Sequence, residues 1–143
     1  MRVKDNNEVF LSYKNKLSAV VSSQYPDLRD SFAAYLKIDN RDDLVRKAEF
    51  LCTFAKVLEP HLSDFRNTAF NSLSSDTTMF LNNSGVRHCI DPNNTIGNTF
   101  NSMSDKEKIM WYDRTFEMFI ACMSVLPYLG YKDEIIKLKQ GES

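Results

Sequence analysis

Apolar residues recur along this chain at three- and four-residue spacing, with polar residues between them, the pattern of a helix that buries one stripe. Val9, Phe10, Tyr13, Leu17, Val20 and Val21 form a first stripe, which Asn6 or Asn7 can cap. Pro26 closes that run and suits the first turn of a second helix, carrying Leu28, Phe32, Tyr35 and Leu36.

Asn40 fits the cap of a third helix, with Asp42 and Asp43 in its first turn. Its body includes Leu44, Val45, Ala48, Leu51, Cys52, Phe54, Ala55 and Leu58. Apolar on more than one side, it belongs at the centre of a bundle, and Pro60 ends or kinks it. A fourth helix is expected through Leu62, Phe65, Ala69, Phe70 and Leu73, then a short helical turn at Met79–Leu81. Residues 82–103, rich in Asn and holding Gly85, Pro92 and Gly97, read as one long loop. Ser104-Asp105-Lys106-Glu107 is a capping box that opens the last long helix. Its stripe runs through Ile109, Tyr112, Phe116, Phe119, Ile120 and Met123; Pro127 is expected to kink or end it and Gly130 to supply a left-handed terminus. A separate amphipathic tail, Lys132 to Gln140, follows. The prediction is a single all-α domain over residues 1–143, a compact bundle of about five or six helices with the long loop 82–103.

Composition narrows the class. Ten Phe, six Tyr and one Trp supply core volume without a metal or disulfide scaffold. Net charge is −1, and neither half is strongly basic, so bulk charge gives no support to duplex nucleic acid binding. Cys52, Cys89 and Cys122 are odd in number and widely spaced, which suits reduced thiols in the cytoplasm. The first eight residues lack the apolar core of a signal peptide, and no apolar run reaches membrane-spanning length. Asn82-Asn83-Ser84 and Asn93-Asn94-Thr95 match the glycosylation sequon but read as chance in an intracellular protein. Heavy Asn, Ser, Asp, Lys and Phe usage suits an AT-rich genome, such as that of a virus, a phage or a low-GC bacterium.

Catalytic and cofactor chemistry finds little purchase. His88, Cys89 and Asp91 lie together, but structural zinc wants four ligands in spaced pairs and no second pair exists. A haem-binding globin needs its proximal histidine on a helix with long helices following, whereas His88 sits among Asn, Gly and Pro. Arg66-Asn67-Thr68-Ala69-Phe70-Asn71 is similar to the opening of the Arg-x4–6-His signature of helical HEPN ribonucleases. Asn71, Ser72 and Leu73 stand where its histidine belongs, and none can perform acid–base work near neutral pH. Serines sit in no nucleophile elbow, and the carboxylates fall at helical spacing with i,i+4 partners such as Asp42–Arg46 and Asp43–Lys47.

The expectation is therefore a non-enzymatic intracellular interaction module, an adaptor, inhibitor or regulatory subunit without cofactor or metal. It would present a helical face to a protein partner or a second copy. Trp111, Met110 and Met118 are the candidate contact residues, flanked by Arg87, His88 and Ile90 of the loop. The alternative is a nucleic-acid-binding or defence-system protein, an RNA-binding subunit or degenerate HEPN-like domain, using Arg46, Lys47 and Arg66.

Overall fold

The computed structural model describes residues 21, 23–37, 42–84 and 95–141, and among them the protein is all-α, with no strand. A helical turn carrying Val21 ends at Tyr25, whose amide donates to the Val21 carbonyl at 2.9 Å. A 3₁₀ turn, Pro26–Leu28, leads into α1, Arg29–Leu36. Then follow α2 (Leu44–Leu58), a 3₁₀ segment (Glu59–Phe65), α3 (Asn71–Asn83), α4 (Thr95–Asn101) and α5 (Asp105–Lys139).

Two caps set the main helices. Asp43 caps α2: its side chain accepts the Arg46 amide at 3.1 Å, so the helix starts at Leu44. At the head of α5 the Ser104 hydroxyl accepts the Glu107 amide at 3.2 Å and itself donates to the Glu107 carboxylate at 3.1 Å. The stripe Leu51, Phe54, Ala55 and Leu58 of α2 is buried against Phe116, Phe119, Ile120 and Met123 of α5. Phe54 stacks on Phe119 at 4.9 Å and 14°, with Phe32 of α1 tilted against Phe54 and edge-on to Phe119. The centrality expected for α2 holds.

Three expectations are corrected. No helix runs through Leu62 to Leu73: the chain is 3₁₀ to Phe65 and then turns, with Asn67 left-handed at φ 62°. Asparagine tolerates that conformation, and a single regular helix starts only at Asn71. The long loop is shorter at both ends. Asn82 and Asn83 finish α3, where the Asn83 amide donates back to the Met79 carbonyl at 2.7 Å, and Thr95–Asn101 is α4.

Pro127 does not end α5, which runs 35 residues to Lys139 with Gly130 inside it. A proline ring removes one amide and crowds one carbonyl, and a helix anchored on both sides of it can continue. The left-handed residue is Gly141, at φ 75°, just beyond the Gln140 cap. The stripe expected over Val9 to Val20, the Asn40 cap and the stretch 85–94 lie outside the described residues.

Candidate functional site

A groove of about 630 Å³ runs between α2 and the corner where α4 meets α5. Leu44, Val45, Ala48 and Cys52 form its α2 wall, Phe100 and Tyr112 the opposite one. The capped start of α2 turns Leu44 and Ala48 half inward and leaves Val45, one residue or roughly 100° round, at the mouth. Val45 is 70% exposed, a high value for a β-branched apolar residue. The far wall is rigid: Phe100 and Tyr112 rings lie 5.4 Å apart, and the Tyr112 hydroxyl donates to the Ser84 carbonyl at 3.1 Å. Burial raises the Tyr112 phenol above its ordinary value, so it stays a neutral donor. Glu49, Lys56 and Lys108 line the groove with charge, and the Lys108 ammonium sits 5.9 Å over the Phe100 ring.

On the other side of α2 lies a buried polar network. Lys47 is 2% exposed, and its ammonium meets the Asp113 carboxylate of α5 at 2.5 Å. The same carboxylate oxygen accepts the Tyr35 hydroxyl of α1 at 3.0 Å, while the Lys47 ammonium lies 4.9 Å over the Tyr35 ring. Tyr35 stacks on Phe116 at 4.3 Å. Burial first, then the Asp113 charge, holds the Tyr35 phenol far above its ordinary value. Asp113 opens outward, at 36% side-chain exposure, onto a depression of about 570 Å³ that Met110 and Arg114 also line. With the two charges paired and the phenol held as a donor, this network joins three helices.

The residues proposed from sequence separate. Lys47 belongs to no basic face: it occupies the core stripe and is held by Asp113 instead of pairing with Asp43. Arg46 is exposed, its guanidinium 5.7 Å over Phe50, and Arg66 is exposed beyond the 3₁₀ segment. Trp111 is half-buried and already covered from within, stacked on Phe80 of α3 at 4.9 Å and 17° with the Arg114 guanidinium 4.7 Å over it. Met118 lies two turns on, on the same face, whereas Met110 is roughly 100° away and exposed. These three do not form one surface. Arg87, His88 and Ile90 lie outside the described residues, as do Cys89 and Asp91 of the proposed metal cluster. Among the described residues no group of three or more His, Cys, Asp or Glu is placed to hold a metal. Cys122 is buried with its sulfur 3.5 Å from the Thr77 hydroxyl, and burial pushes the thiol up, as expected for an inert cysteine. Among the described residues no helix is long and apolar enough to cross a membrane.

Sequence reasoning passed over the groove because its walls come from three helices, and no local pattern shows that Phe100 faces Val45. No protein-family model, curated protein or solved structure matches this chain.

Proposed function

We propose that this protein is a non-enzymatic, intracellular interaction module that docks an amphipathic helix of a protein partner in the groove between α2 and the α4–α5 corner. The observation that carries the reading is the groove itself: about 630 Å³ lined largely by apolar side chains, with Val45 exposed at its mouth. Helix-in-groove recognition uses apolar anchors at i, i+3 or i+4, and i+7 from the partner, and Ala48 leaves room for one of them between Leu44 and Cys52. Two lysines and one glutamate line the groove, so the fitting partner helix carries an acidic flank beside its apolar face.

The test is a displayed library of amphipathic helical peptides panned on the folded protein. Enriched peptides should share the apolar spacing and the acidic flank. Val45→Glu should weaken their binding at least tenfold while leaving the melting temperature unchanged, because Val45 supports little of the fold. Binding that ignores Val45→Glu, or a pool without helical spacing, would overturn the reading. Salt-sensitive RNA binding lost on Arg46→Ala and Arg66→Ala would favour the nucleic-acid alternative instead.

A further inference from the structure

Past Pro127, α5 carries an apolar seam that meets the bundle at Tyr128 and then runs out from it. Tyr128, Tyr131, Ile135 and Leu138 recur at spacings of three, four and three, the alternation of heptad positions a and d. Three of the four are exposed, with Tyr131 at 46% and Leu138 at 73%. At roughly 100° per residue, the centre of this seam lies about 110° round the helix from the stripe of Phe116, Phe119 and Met123 that enters the core. The bundle therefore cannot cover it by continuing its own packing. Tyr128 is braced at the base, edge-on to Phe70 at 6.2 Å and to Tyr131 at 6.0 Å.

The residues beside the seam say what fits it. With Tyr128 and Ile135 at a, Tyr131 and Leu138 take d, Lys132 and Lys139 take e, and Glu134 takes g. Two parallel copies bring Glu134 of each against Lys139 of the other, the g-to-e′ pairing of opposite charge. An antiparallel pair brings Glu134 against Glu134 and lysine against lysine. β-Branched Ile135 at a with Leu138 at d is also the choice that favours two parallel strands. Neither Glu134 nor Lys139 makes an ion pair or hydrogen bond with another described side chain.

We infer that the distal third of α5 pairs in parallel with the same segment of a second copy of this chain, as a short two-stranded coiled coil about a twofold axis along the seam. The helix is already formed as an extension of one anchored in the bundle, so association carries no helix-nucleation cost. The angle between seam and core stripe places the two bundles on the outer sides of the pair. Twelve residues span roughly 18 Å, about two heptads, so the contact is small and the dimer weak.

Sedimentation equilibrium of the full chain from about 5 µM to 1 mM tests this, with circular dichroism confirming that each variant is folded. The wild type should pass from monomer to dimer mass, and Leu138→Glu should remain monomeric with an unchanged melt. Glu134→Lys and Lys139→Glu alone should each weaken association severalfold by opposing like charges, and the two together should restore it. That rescue belongs to the parallel register, since an antiparallel pair stays repulsive in the double variant. A wild type that stays monomeric to 1 mM, a dimer indifferent to Leu138→Glu, or a double reversal without rescue would each overturn the inference. The groove variant Val45→Glu should leave the dimer intact, so this inference and the docking of a partner helix stand or fall separately.

Discussion

Lys47 and Asp113, 66 positions apart, close an ion pair across the α2–α5 interface in which one partner is buried and the other reaches the surface. That asymmetry decides which partner the fold can spare. Asp113→Ala leaves an ammonium buried without its counter-charge and should destabilise the domain by about 3 kcal/mol, at the low end for such a break because part of the site is open to water. Lys47→Met keeps the volume, and the carboxylate it leaves behind is partly solvated and still bonded to Tyr35, so its cost should be under about 1 kcal/mol. Urea denaturation of the two variants reads the difference; equal losses would mean that the pair contributes through packing alone.

Stability should fall in alkali. Burial keeps the Tyr35 phenol protonated in the folded state well above its ordinary value of 10.0, whereas the unfolded chain ionises it there. Above that pH the unfolded state binds fewer protons than the native one, so the stability contribution present below pH 10.0 is progressively lost as pH rises. Tyr112 and Cys122 are shifted the same way and by the same cause, with the thiol's loss beginning near its ordinary 9.0. Tyr35→Phe should reduce the alkaline slope by up to about 1.4 kcal/mol per pH unit. An unchanged slope between pH 10 and 11 would show that Tyr35 ionises freely in the folded protein.

Trp111→Ala removes the plate on which Phe80 stacks, and the indole also carries Arg114. The loss should be about 2–3 kcal/mol, below the range for a fully buried Trp because this one is half-exposed. It should appear as a lower denaturation midpoint with little change in partner-peptide binding at the groove. A melt that does not move would return Trp111 to the list of contact residues.

Pro127→Ala should stabilise the protein. The helix continues through this position and already accepts the loss of one hydrogen bond, so an amide there can bond to the carbonyl one turn back. A gain of about 1–3 kcal/mol by denaturant titration is expected. A loss instead would mean that the packing of Leu126 and Leu129 depends on the proline's bend.

The helical class, the central place of α2, the cores of α2 and α5 and the Ser104 cap were legible from spacing and capping chemistry. Lys47 was within reach too. It stands four residues before Leu51, on the stripe that continues through Phe54 and Leu58, and register alone puts it inside. Its charge suggested otherwise, because a buried ammonium needs a partner and Asp113 is distant in sequence. The helix ends were least legible. Pro127 and Gly130 are both breakers by propensity, yet packing upstream and an uninterrupted ladder downstream carry α5 through them. The groove was beyond reach because its facing walls are brought together by tertiary packing alone.

The unequal burial along α5 also sets its clock. Amides beneath Tyr112, Phe116 and Ile120 are shielded by the core, so deuterium enters there only when the whole domain opens. Beyond Tyr131 the same helix is largely exposed, and its amides exchange whenever the last turns fray. One continuous rod thus contains a slow half and a fast half. A second copy closing on the outer turns would slow the fast half alone, leaving a protection pattern that depends on concentration at one end of the helix and not at the other.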